Sequence, residues 1–92
     1  MIVNRRTFVI KPGCMQEAIN LFTTLRGTDT FRIYVPEVSR FDILSIEIEC
    51  KDLAEYEKMW DEWFSKPESK QFNEKLYTVL ANGSTNEIWE LV

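Results

Sequence analysis

The chain has 92 residues, of which 45% are hydrophobic and 13% aromatic, with only three glycines and three prolines. This composition fits one packed domain over residues 1–92, too short for a catalytic unit plus a regulatory one and too apolar for global disorder. Fifteen acidic residues against eleven basic ones give a net charge of −4, and a chain of that sign lacks the basic surface that nucleic-acid binding needs.

There is no histidine, which removes the commonest metal ligand, the usual general base near neutral pH and every Ser-His-Asp or Cys-His nucleophile pair. Charge is uneven: residues 1–46 carry six basic and four acidic residues, residues 47–92 five and eleven. No apolar stretch approaches the roughly 18 residues that span a bilayer, so no membrane partner is expected. Met1-Ile2-Val3-Asn4-Arg5-Arg6 is not followed by the apolar run of a secretion signal. Two cysteines, Cys14 and Cys50, are too few to staple a secreted mini-domain, and a reducing cytoplasmic setting is expected.

Residues 2–10 are rich in β-branched and aromatic types and stop at Lys11-Pro12-Gly13, a strand followed by a turn. Met15, Ala18, Ile19, Phe22 and Leu25 recur at helical spacing and predict a helix over 13–26, with Pro12 at its start and Gly27 past its end. Cys14 falls in its first turn. A second strand, 31–35, and a third, 43–50, follow. In the third, Leu44, Ile46, Ile48 and Cys50 alternate with Ser45, Glu47 and Glu49, so the two sets face opposite ways. Asp52-Leu-Ala-Glu55 is a capping box opening a helix through Phe64, with Tyr56, Met59, Trp60, Trp63 and Phe64 forming a broad aromatic band. A second box, Ser65-Lys-Pro-Glu68, predicts a further helix ended by Asn82-Gly83. Residues 86–92 alternate like a final strand.

The order strand, helix, strand, strand, helix in two segments, strand is the βαββαβ arrangement of the α+β, ferredoxin-like fold, a four-stranded antiparallel sheet with helices on one face. Several strands carry bulky apolar residues on both faces, as with Phe31, Ile33 and Val35 against Tyr34, or Trp89 and Leu91 against Ile88 and Val92. One helical layer covers one face. The other calls for a second sheet, and a two-fold copy is its simplest source, so a homodimer is expected.

Arg6-Thr-Phe-Val-Ile-Lys-Pro-Gly13, followed by a helix with the apolar pair Leu21-Phe22, resembles the opening of NIPSNAP-type domains. The element order across nearly the whole chain is similar to the wider dimeric α/β-barrel superfamily, which includes antibiotic-biosynthesis monooxygenases and heme-degrading monooxygenases. The resemblance implies two sheets closing into a barrel, with a cavity in each protomer between sheet and helices. It also implies that Asn4, on strand one, and Trp63, on the second helix, line that cavity. The heme enzymes of the superfamily use a proximal histidine, and this chain has Asn73 near the corresponding place. Ligation of heme by imidazole is impossible here; a heme-handling protein would need a tyrosine or cysteine ligand.

Arg5 and Arg6 are adjacent on a strand, so one must point to each face. Enclosed in a dimer, either would need an acceptor, and Glu47 or Glu49 on strand three is available, giving a structural ion pair or, with Arg6 in the cavity, an anion- or enolate-stabilising group. Glu47 and Glu49 share a face about 7 Å apart, a spacing that suits a metal or an acid/base pair but lacks a histidine to complete it. Tyr34 and Tyr56 could orient a phenolic or quinoid substrate, and Trp60 either joins the cavity or fills core. Taking strands one and three as parallel places Cys14 and Cys50 near the same edge of the sheet, where a redox pair is conceivable.

These residues give two readings. In the first, a homodimer holds a small apolar or aromatic ligand in an aromatic-lined cavity. Cofactor-independent monooxygenation, with no bound cofactor or metal, is then the compatible chemistry: Asn4, Arg6 and Trp63 act as catalytic residues, and Tyr34, Tyr56, Trp60 and Glu47 contact the ligand. In the second, the chain is a non-catalytic NIPSNAP-like binding or scaffolding protein that acts through self-association.

Overall fold

The computed structural model describes residues 1–26 and 31–92. Its elements in chain order are β1 (Ile2–Val9), α1 (Met15–Arg26), β2 (Arg32–Tyr34), β3 (Ile43–Cys50), α2 (Leu53–Ser65), α3 (Pro67–Val79) and β4 (Thr85–Glu90). They form one four-stranded sheet in the order β2-β3-β1-β4, every neighbouring pair antiparallel. Among the described residues no helix is long and apolar enough to cross a membrane.

Strand parity sorts the chemistry. Opposite one another on the helix-covered face are Asn4 and Ile48, Arg6 and Ile46, and Phe8 and Leu44; on the other face Arg5 meets Glu47 and Thr7 meets Ser45. The core lies on the first face, where Ile10, Leu44 and Ile46 pack with Ala18 and Phe22 of α1 and with Leu76 and Val79 of α3. Phe22 is central to it, its ring 5.1 Å from Phe8 and 5.3 Å from Phe72.

Local signals explain most boundaries. Cys14 N–H donates to the Lys11 carbonyl at 3.0 Å, closing a turn whose third residue, Gly13, has φ of +83°, which only glycine adopts at little cost. Pro12 therefore serves the turn rather than the first position of α1. Cys14 precedes the helix, its carbonyl accepting from Ala18 N–H. Gly27, the expected stop of α1, lies outside the described residues. Asp52 caps α2, its carboxylate accepting from Glu55 N–H at 2.9 Å, while the Glu55 side chain reaches back to Lys51 N–H at 2.8 Å, one residue before the position expected.

Four further sequence expectations are corrected. Ser65 does not cap α3: it ends α2, its hydroxyl donating to the Glu62 carbonyl, and Lys66 is the cap residue, with Pro67 setting the first turn. Nor does α3 reach Asn82. It stops at Val79 because the following chain pairs with the end of β1, through an Ile10–Leu80 bridge and Ala81 N–H donating to the Val9 carbonyl at 2.8 Å.

Strands β1 and β3 run antiparallel, so Cys50 sits opposite Ile2 while Cys14 follows the far end of β1. Eight strand residues separate the two thiols by roughly 25 Å, far beyond disulfide reach. Both cysteines are free. The helix-free face, lastly, is polar at its centre rather than apolar. Arg5 Nε donates to Glu47 at 2.8 Å, Arg32 pairs with Glu49 at 2.9 Å, and the Thr7 and Ser45 hydroxyls are 2.8 Å apart. Its apolar residues, Val3, Val9, Ile43 and Trp89, flank that centre.

Candidate functional site

The second helix buries none of its residues. Its wide aromatic band would fill the core if α2 lay flat on the sheet; instead α2 stands off, and a cleft of about 580 Å³ opens beneath it. The floor is Arg6, Phe8, Ile46 and Ile48 of the sheet; the walls include Trp60 and Trp63 of α2 and Phe72 of α3. Trp60, Trp63, Phe64 and Phe72 put their rings on it. Trp63 meets Phe72 edge-on at 6.0 Å, and Tyr56, Trp60 and Phe64 follow one another at successive turns of α2, with Trp60 stacked 5.6 Å from Phe64. A volume of this size lies within the range of small-molecule pockets.

At the inner rim the Arg6 guanidinium is fixed on three sides. Its Nε donates to Asn4 Oδ1 at 3.3 Å, a terminal nitrogen donates to the Tyr56 hydroxyl at 3.3 Å, and its carbon lies 4.0 Å over the Trp60 ring. Asn4 is 1% exposed and does not itself reach the cleft. Its amide donates to Asn86 Oδ1 at 2.6 Å and to the Glu87 carbonyl at 2.9 Å, tying β1 to β4. Burial pushes the Tyr56 phenol up, but hydrogen bonds from Arg6 and Asn86 and the Arg6 charge outweigh it, so its pKa falls below the usual value of 10.0.

Of the residues singled out in the sequence, Arg6, Trp60 and Trp63 line the cleft, and Asn4 and Tyr56 stand behind Arg6. Tyr34 and Glu47 are elsewhere: they lie on the helix-free face, joined to each other at 3.3 Å, with Glu47 also held by Arg5. Glu49 is taken up by Arg32. The acceptor anticipated for an enclosed arginine thus belongs to Arg5. Among the described residues Arg6 has no carboxylate partner.

Asn86 escaped sequence reading because only the β1–β4 register shows that it sits across from Arg6 on the covered face. Lys66 and Phe31 also line the cleft. No spacing rule finds them, since one stands at a helix junction and the other at a strand entrance.

No family model matches the chain, and no curated protein does. Solved structures are similar across its whole length. A NIPSNAP domain protein from Burkholderia xenovorans superposes with a TM-score of 0.84 at 14% identity, covering 100% of this chain and 95% of its own. A NIPSNAP family protein from Agrobacterium tumefaciens gives 0.86 at 16% identity, covering 99% and 85%. An antibiotic biosynthesis monooxygenase gives 0.72 at 13% identity, covering 100% and 99%. At these identities the likeness is one of fold: the chain has the ferredoxin-like fold of NIPSNAP-domain proteins, which is also that of an antibiotic biosynthesis monooxygenase.

Proposed function

We propose that the cleft beneath α2 is the binding site for a small aromatic or otherwise apolar molecule, in a protein that works as a homodimer. The observation that carries the cleft as a binding site is the stand-off of α2, and the homodimer is supported by the exposed Ile88, Trp89, Leu91 and Val92. A helix with Tyr56, Met59, Trp60, Trp63 and Phe64 on one band gains most by burying them, yet none is buried, and all but Tyr56 line a 580 Å³ space.

The chemistry this site supports is cofactor-independent oxygenation of an electron-rich substrate. A methylene flanked by aromatic or carbonyl groups loses a proton, and the resulting carbanion gives electrons to dioxygen. One oxygen atom stays as a carbonyl, and the other leaves as water with the two substrate hydrogens. The pocket's part is to orient the ring and stabilise the developing oxyanion, a task that suits Arg6, with Asn4 and Tyr56 holding it in place. The antibiotic biosynthesis monooxygenase among the structural neighbours supports this direction.

A second reading, a binding or scaffolding protein acting through self-association, is favoured by β4. All six of its residues are exposed, Ile88 and Trp89 among them, and Leu91 and Val92 follow. To test the two readings, the protein is incubated aerobically with anthrone-like and quinol substrates while dioxygen consumption and products are followed. Carbonyl product with loss of turnover in Trp63→Ala supports the oxygenase reading. Ligand binding without turnover leaves a binding protein, and neither binding nor turnover leaves self-association.

A further inference from the structure

We infer that the ligand of the cleft beneath α2 is a planar oxyanion, a carboxylate or an ionised phenol or enol on an apolar ring system, and that Arg6 is its anchor. This rests on the cleft being a ligand site and adds the charge of the ligand.

Three arginines on the sheet are available for comparison. Arg5 and Arg32, on the helix-free face, are paired with Glu47 and Glu49. Arg6, on the covered face and half-buried, has none among the described residues, although withdrawing a guanidinium from water without an anion is costly. A guanidinium carries five N–H donors. Here one goes to Asn4 and one to Tyr56, both neutral acceptors at 3.3 Å, and the remaining three have no protein acceptor among the described residues.

The stacked Trp60 ring and the two hydrogen bonds hold the fork in one orientation, so it is preorganised for a planar, two-oxygen or conjugated-oxygen acceptor. This end of the cleft has donors to spare and few acceptors. Lys66, on the same cleft, adds a second positive charge against the single carboxylate of Glu62. The other walls are mainly aromatic and aliphatic, which selects a ring system rather than a free inorganic anion. Phosphate and sulfate fit poorly, because most of the lining would be left in contact with water.

The test uses the full chain and three probes of nearly one shape: 2-naphthoate, 2-naphthamide and 2-naphthol, followed by tryptophan fluorescence and calorimetry. The carboxylate is expected to bind at least about tenfold more tightly than the amide, as befits a charge-assisted bidentate bond in a partly enclosed site. Ionisation of 2-naphthol on binding, read from its absorption, identifies an ionised phenol as the anion the site prefers. In Arg6→Gln the carboxylate-to-amide ratio is expected to fall to within about twofold. Should that variant not fold, Arg6→Lys, which keeps charge but not the fork, is expected to lower the ratio severalfold.

Equal affinity for naphthoate and naphthamide, with 2-naphthol bound neutral, overturns the inference while leaving the cleft as a ligand site. An undiminished ratio in the Arg6 variants overturns the assignment of the anchor. If no probe binds, the cleft reading falls and the inference with it.

Discussion

Removing the Asn4 side chain should cost far more than its size suggests. Asn4→Ala deletes a 1%-exposed amide that makes three hydrogen bonds, to Asn86 Oδ1, to the Glu87 carbonyl and from Arg6 Nε. Each of the three bonds contributes about 1 kcal/mol, so the expected loss is roughly 2–4 kcal/mol. For a domain of this size that lowers Tm by about 10–25 °C. The loss should be concentrated at β4, because no β4 residue is buried and Asn4 is its side-chain tie to the covered face.

Thermal and urea denaturation measure the total, and amide hydrogen exchange locates it. Asn20→Ala, which removes an amide in an exposed α1 pair with Gln16, is the control and should stay within about 0.5 kcal/mol of the parent. If Asn4→Ala matched that control, or destabilised the protein without faster exchange along β4, the account of the buried amide would be wrong.

Three further outcomes are expected. Difference titration of the parent against Tyr56→Phe should show a phenol ionising below pH 10, moved upward in Arg6→Gln. Because the folded-state pKa is the lower one, the stabilisation is fully present above the unfolded pKa and is lost as pH falls through the folded pKa; ionisation at or above 10 would contradict the arrangement. Under mild oxidant both thiols should stay free, with Cys50 reacting more slowly than Cys14, since burial and the charges of Glu55 and Asp52 push the Cys50 thiol up; an intramolecular disulfide would contradict the strand directions. Light scattering should give twice 10.9 kDa for the parent and 10.9 kDa for Trp89→Asp, whose charge would be buried against the partner; a monomeric parent would remove the dimer from the proposal.

Local chemistry made much of the fold legible. The alternation in Ile43–Cys50 put Leu44 and Ile46 on one face and Glu47 and Glu49 on the other, and Asp52 marked the start of α2. Features decided by partners distant in sequence were not legible. Helix α3 ends at Val79 because Ile10 and Val9 claim Leu80 and Ala81, and Asn82-Gly83, the stronger local signal, lies beyond that.

The site shows the same division. Period-two reasoning put Arg5 and Arg6 on opposite faces, but the β1–β3 register gave Glu47 to Arg5 and left Arg6 with Asn4, Tyr56 and the Trp60 ring. The aromatic band of α2 was plain in the sequence; that it would border a space instead of filling one depends on how far α2 stands from the sheet.

The three tryptophans allow a direct test of the cleft as a ligand site. Trp60 and Trp63 line it, whereas Trp89 lies on the helix-free face. Indole N–H resonances assigned by single Trp→Phe variants are followed while 2-naphthamide, a neutral probe, is titrated in. Saturable shifts at Trp60 and Trp63 with Trp89 unmoved are the expected result. Shifts confined to Trp89, or none at concentrations up to the probe's solubility, would contradict it.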